Sequence, residues 1–251
     1  MLKKRLITSL IIDEKVVVQS INFELTNIIH TDPAIAIEYF NKWSVDEIII
    51  LNVSREESSK KKFLKTLKNI SRKSFLPIAA GGWIRNNNDI KNLLKNGADK
   101  VVINTSAFKN EKFIDKASKE FGAQCIVISI DVKKISNDHK VFIDRGKFNT
   151  GINIEDWIEK LNKYEIGELY ISSIDQDGTR KGFDYQLYKK IIKLTSIPII
   201  AFGGLGEWSQ IKKLLKISNI AAVAGANIFH YSENSATKAK LYLKNKKLNF
   251  R

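Results

Sequence analysis

Short apolar, β-branched runs recur along the chain at residues 6–12, 47–53, 76–80, 100–104, 124–130, 168–173, 197–201 and 220–224. Each is four to eight residues long, the length of a strand buried on both faces. Amphipathic stretches lie between them. Residues 33–43 follow a Thr31-Asp32 cap signal, and 87–95 carry Ile90, Leu93 and Leu94 on one face. Residues 154–161 and 185–194 keep the same period. Strand then helix, repeated eight times, predicts an α/β fold of the (β/α)8 TIM-barrel class. The polar stretch 133–147 is longer than a turn and predicts an added hairpin. No Pro/Ser-rich linker divides the chain, so one barrel domain over 1–251 is expected, the usual size for such a fold.

The two halves echo each other. Residues 77–82 read Pro-Ile-Ala-Ala-Gly-Gly and 198–204 read Pro-Ile-Ile-Ala-Phe-Gly-Gly. Each is followed by an Ile-Lys-x-Leu-Leu-Lys helix and then a strand, ending at Asn104-Thr105 in one half and at Ala226-Asn227 in the other. A period of half the chain predicts two half-barrel repeats, with equivalent anchoring sites on opposite sides of one mouth.

Composition changes this picture little. The net charge is +15, but the lysines lie mostly at outward helical positions such as 59–72 and 238–247. No basic stripe interleaves with aromatics, so a solvated surface is expected and nucleic acid is not. Lys3, Lys4 and Arg5 before an apolar run look faintly like a leader, but Asp13 and Glu14 end the run without a small-residue cleavage site. No run approaches the roughly 20 apolar residues of a membrane span. With one cysteine, Cys125, no internal disulfide can form, and a cytoplasmic location is expected. Cys125 is placed inside a core strand.

Candidate chemistry gathers at strand ends. Gly81-Gly82 with Asn104-Thr105, and Gly203-Gly204 with Ala226-Asn227, fit phosphate cradles, because glycine lets backbone amides approach an anion closely. Two facing cradles imply a long substrate with a phosphate at each end. Asp131 directly follows an apolar strand, where barrel enzymes keep catalytic groups. Asp175 and Asp177, in Asp175-Gln176-Asp177-Gly178, suit either turn formation or ligand contact. Arg5, Glu47, Lys100 and Glu168 stand at strand starts and would converge as a paired ionic layer at the barrel bottom. His30, His139 and His230 have no metal-site spacing, so neither metal nor cofactor is expected. There is no nucleophile elbow, Walker A or G-x-G-x-x-G motif.

These residues resemble the HisF family, the cyclase subunit of imidazole glycerol phosphate synthase, over essentially the full length. The matching segments are 79–85 (Ala-Ala-Gly-Gly-Trp-Ile-Arg), 97–101 (Gly-Ala-Asp-Lys-Val), 124–127 (Gln-Cys-Ile-Val), 175–182 (Asp-Gln-Asp-Gly-Thr-Arg-Lys-Gly) and 228–230 (Ile-Phe-His). The resemblance implies a HisH-type glutaminase partner on the N-terminal face, with Asp99 at that interface. It implies that ammonia passes a gate of Arg5, Glu47, Lys100 and Glu168 to reach a phosphorylated small molecule at the mouth. It makes Asp131 catalytic and adds Asp177 and Gly178 to the phosphate-binding set Gly81, Gly82, Asn104, Thr105, Gly203, Gly204, Ala226 and Asn227.

The departures cluster at the mouth. The family's first-strand aspartate falls at Ile11, and the lysine and glycine soon after are Gln19 and Ser20. The second-strand aspartate is Asn52, and a third glycine is Trp83. Asp13, expected two residues past the strand end, is a poor substitute for the missing acid. This pattern resembles the divergent WbuZ-like paralogues associated with glycosyl amidation in lipopolysaccharide biosynthesis. That resemblance implies an ammonia channel serving surface-sugar amidation with an ATP-dependent sugar amidotransferase. The alternatives are a histidine-pathway cyclase (lyase) with an altered site, and a non-catalytic scaffold that activates a glutaminase.

Overall fold

The computed structural model describes residues 3–217, 220–230 and 235–246. Its first half contains β1 (Arg5–Asp13), β2 (Val16–Ile21), β3 (Glu24–His30), α1 (Pro33–Lys42), β4 (Glu47–Asn52), α2 (Ser59–Lys73), β5 (Ile78–Gly81), α3 (Asn87–Lys95), β6 (Lys100–Ile103), α4 (Thr105–Lys109) and α5 (Glu111–Phe121). Its second half contains β7 (Ile126–Ile135), β8 (Asp138–Ile143), β9 (Phe148–Asn153), α6 (Ile154–Leu161), β10 (Glu168–Ser173), α7 (Tyr185–Ile191), β11 (Ile199–Phe202), α8 (Trp208–Leu215), β12 (Ile220–Gly225) and α9 (Ser235–Asn245). Short 3-10 turns precede β7 and follow β12. The helix expected over 238–247 is α9, and residue 247 lies outside the described residues.

Eight strands, β1, β4, β5, β6, β7, β10, β11 and β12, pair in parallel in that order, and β12 returns to β1. The ring is therefore closed, the (β/α)8 barrel that the apolar periodicity predicts. Alternation along each strand separates two cores. Leu6, Leu10, Ile48 and Ile50 face outward with Phe40, Leu67 and Ile211 of the helices. Ile7, Ile49, Ala79, Val102, Val127, Tyr170 and Ile200 fill the bore. Helix starts follow their cap signals: the Asp32 carboxylate accepts from Ala34 N at 2.9 Å, with Pro33 opening α1.

The internal repeat survives as geometry. Pro77 O accepts from Ile48 N and Pro198 O from Leu169 N, both at 2.9 Å. Gly82 and Gly203 turn the strand ends at φ +111° and +103°. Asn104 and Ala226, which precede the short helical turns, adopt nearly the same backbone, φ/ψ −117°/−94° and −108°/−85°.

Two additions rise from the mouth. The stretch expected as one hairpin over 133–147 is a three-stranded meander, because β7 itself runs on to Ile135 and pairs with β8, which pairs with β9. The second addition, the β2–β3 hairpin, was not foreseen from the apolar runs. Its signal is two β-forming stretches separated by Asn22-Phe23, both at positive φ (52° and 67°), as a two-residue hairpin turn requires. It also draws β1 out to Asp13, so Asp13 is the last strand residue rather than a residue beyond it. Cys125 lies in the 3-10 turn before β7, half-buried and free, not inside the strand.

Candidate functional site

The bore divides into a floor, an apolar shaft and a mouth. Arg5, Glu47, Lys100 and Glu168 come from β1, β4, β6 and β10 and meet at the floor, as their positions at the strand starts foretold. Arg5 bonds Glu47 at 2.6 Å and also bonds Glu168. Lys100 bonds Glu47 at 3.0 Å and Glu168 at 2.6 Å. Two cations and two anions thus alternate in a closed ring. Burial works against the charge on Glu168, but the bonds to Arg5 and Lys100 outweigh it and hold its carboxyl below the usual range. Burial likewise opposes the charge on Arg5, and the two glutamates reverse that effect.

Asp99 is exposed and precedes β6; one of its oxygens accepts from Ile78 N at 2.8 Å. It sits on the face of the barrel that carries the ionic floor.

Above the floor the shaft is mainly apolar, with the hydroxyls of Ser9 and Tyr170 meeting inside it. Tyr170 is fully buried among Ile7, Val127 and Ile200, and its phenol lies 3.1 Å from Ser9 Oγ. Its ring packs against Phe202, with 5.4 Å between centroids. Ile11 follows Ser9 by two residues, so it also faces inward, level with Leu51. It is 8% exposed and extends the apolar lining to the mouth.

At the mouth, Asp131 is buried at the inner face of β7. Burial pushes its carboxyl up to about 7, and the nearby Asp177 adds to the rise. The Asn104 amide, donating to Asp131 Oδ2 at 3.1 Å, opposes it. An acid poised there can take or give a proton near neutrality. Strand β1 stands diametrically opposite β7 in the ring, so the residue facing Asp131 across the bore is Ile11, which cannot move a proton.

The two glycine cradles flank this centre. Gly82 packs so closely over Asn52 that a Cβ would lie 2.4 Å from its carbonyl oxygen. Beside it Trp83 takes a left-handed backbone (φ +59°), and its indole donates to Ser54 O at 2.9 Å. The Asn104 amide also donates to Ser129 O, and Thr105 Oγ1 donates to Asn104 Oδ1 and accepts from Asp144 N. On the other side, Gly204 O accepts from Gly182 N, and Asn227 reaches Ser20 O at 3.5 Å.

Asp177 and Gly178 hold the β2–β3 hairpin. Ser20 Oγ and Phe23 N donate to Asp177 Oδ2 at 2.7 and 3.2 Å, and Asn22 N donates to its carbonyl at 3.0 Å. Gly178 leaves room for the Ser20 carbonyl, which a Cβ would meet at 2.3 Å. Asp175 accepts from Lys134 N at 2.7 Å and so braces the meander. Apolar periodicity could not find these roles, because the partners lie 41 to 157 residues apart. The hairpin base carries one further pair, His30 Nε2 and His230 Nδ1 at 3.2 Å. Desolvation, with His30 beside it, lowers His230 to about 3.

Among the described residues no group of three or more His, Cys, Asp and Glu side chains is placed to hold a metal. None of the described helices is long and apolar enough to cross a membrane.

Residues 5–235 match the family model described as histidine biosynthesis protein. The chain is 37% identical over 247 residues to the imidazole glycerol phosphate synthase subunit HisF of Clostridium botulinum (strain 657 / Type Ba4), covering 97% of each chain. It is 38% identical over 247 residues to the HisF subunit of Dictyoglomus turgidum, covering 98% of this chain and 97% of the relative. It is 37% identical over 253 residues to that of Staphylococcus carnosus, covering 100% and 99%.

Proposed function

This chain belongs to the histidine biosynthesis protein family, with HisF subunits among its relatives, and from that premise we propose that it is the ammonia-receiving barrel of a glutamine-dependent complex. A HisH-type glutaminase docks on the floor side, with Asp99 at the interface. Ammonia passes the Arg5–Glu47–Lys100–Glu168 ring and rises past Ser9 and Tyr170 to the mouth, where a phosphorylated acceptor is held by the glycine cradles. Asp131 serves there as the proton carrier. The acceptor is a surface-polysaccharide sugar, amidated together with an ATP-dependent sugar amidotransferase, and the complex works in the cytoplasm.

One observation carries this reading: the ionic floor is complete while the mouth faces Asp131 with Ile11. A positioned acid–base group is worth roughly 10²–10⁴ in rate. A cyclase needing two acids would be slowed by that much, whereas conduction of ammonia needs neither.

The second reading is a cyclase of histidine biosynthesis. It is favoured by the names of the relatives and by Asp131, which is poised to work as either acid or base.

The deciding assay is turnover of the bisphosphorylated cyclase substrate with saturating ammonium and no glutaminase, since external ammonium bypasses the bore. No turnover by the folded protein, with partial recovery in Ile11→Asp, is the expected outcome. Turnover at the rate of ordinary cyclases would remove the amidation reading in favour of the second one.

A further inference from the structure

The corner of the mouth between β4, β5 and β6 carries two arginines that neither the apolar pattern nor the family resemblance brought forward. Arg145 sits in the β8–β9 turn, where Asp144, Arg145 and Gly146 all have positive φ (51°, 60° and 73°). That turn rests on the first-half cradle, since the Asp144 amide donates to Thr105 Oγ1 at 3.0 Å. From there Arg145 crosses to the end of β4 and donates through Nη1 to Val53 O. Arg55 lies two residues further along the same rim segment. Between Val53 and Arg55, the Ser54 carbonyl accepts the indole of Trp83, the residue directly after Gly82. Residues 53–55 and 144–145 therefore flank Gly81-Gly82 on one side and Asn104-Thr105 on the other.

Charge makes this corner unusual. Arg145 is partly buried, and desolvation followed by the field of Arg55 lowers its pKa. Asp144, 3.8 Å from Nη2, and Asp13 offset part of that repulsion. Arg85 is also close, over the Trp83 ring at 4.9 Å, but it is paired with Glu57 at 3.0 Å. Two guanidinium groups held near each other beside a glycine turn are relieved by an anion that both can bond, and a phosphate oxygen matches their planar donor fork.

We propose that Arg55 and Arg145 clamp the phosphate or diphosphate end of the substrate over the Gly81-Gly82 cradle, making this corner a specificity site for phosphorylated ligands. Trp83, in place of a third glycine, closes the site laterally through Ser54 and positions the rim that carries Arg55. The clamp deepens the reading of the mouth as a phosphate-holding acceptor site, but it does not depend on the ammonia route.

The test is isothermal titration of the isolated chain with inorganic phosphate and with pyrophosphate, for wild type, Arg55→Gln, Arg145→Gln, Arg145→Lys and Lys116→Gln. Loss of one charged hydrogen bond corresponds to about a tenfold weakening or more. Arg55→Gln and Arg145→Gln are each expected to weaken binding by at least about tenfold. Arg145→Lys should recover part of the loss, and Lys116→Gln, exposed on the outer helix α5, should stay within about twofold. Tighter pyrophosphate than phosphate would assign a diphosphate-bearing substrate; equal affinities would assign a monoester. Arg55 is exposed and makes no strap across the mouth, so its substitution separates a clamp from a fold brace. If Arg55→Gln binds like wild type, if only Arg145→Gln is impaired and melts early, or if wild type binds neither anion, the proposal fails. None of those outcomes bears on glutamine-derived ammonia, which the cyclase and glutaminase assays test separately.

Discussion

The floor and the mouth of this barrel are built from the same eight strands, yet they handle charge in opposite ways. At the floor, four ionised side chains from four strands close a ring in which each cation meets two anions. At the mouth, Asp131 and Asp177 are buried with amides and hydroxyls as neighbours, and both carboxyls are pushed up by burial. The floor can thus stay charged without water, while the mouth holds an acid whose proton is exchangeable near neutral pH. The difference teaches what each end is suited to: the floor to closing the bore with fixed, paired charge, the mouth to exchanging a proton.

The largest effect should come from breaking the floor. Glu168→Ala leaves Arg5 and Lys100 with one carboxylate between them, and removing one partner from a buried ion network costs about 3–5 kcal/mol. Urea denaturation should show that loss, and a change under about 1 kcal/mol would mean that water already reaches the ring.

The mouth gives the next effect. Asp131→Asn is expected to lower any proton-transfer step by roughly 10²–10⁴ while leaving ligand binding intact. Its stability signature has a definite sign. The folded carboxyl, at about 7, binds its proton more tightly than the unfolded one at its ordinary value of 3.8. Wild type therefore loses stability as pH rises between those two values and stays level above about 7. Asp131→Asn should lack that slope, so its denaturation midpoint should gain on wild type over that interval. Parallel pH curves for the two proteins would contradict the burial argument.

Ile11→Asp sharpens the comparison by giving the mouth a second acid. The two carboxylates should repel across the bore, raising the Asp131 titration further, which carboxyl NMR would read directly. Cyclase turnover should rise from the wild-type level by at least about tenfold, the smaller part of what a positioned acid supplies. The smallest effect is expected at the hairpin. Asp177→Ala removes two bonds from Ser20 and Phe23, worth about 1–3 kcal/mol locally, and should speed hydrogen exchange over residues 16–30 without shifting the global midpoint by as much.

The sequence by itself determined the barrel, because strands buried on both faces must be continuously apolar and the helices between them must show one apolar stripe. It also determined the two glycine turns at the strand ends, where Gly82 in one half and Gly203 in the other take nearly the same positive φ. The ionic floor was legible for a related reason: a charge at the first residue of a buried strand has nowhere to go but inward to a partner. What only the tertiary structure decided are the contacts between residues far apart in the chain. That Asp177 fastens the β2–β3 hairpin, that Tyr170 meets Ser9 inside the bore, and that Arg145 reaches Val53 beside Arg55 depend on closing the ring and folding two extensions over its mouth. Local periodicity carries the direction in which a side chain points, but it carries no information about which strand stands opposite. Closure of the ring sets that, and with it the placement of Ile11 across from Asp131.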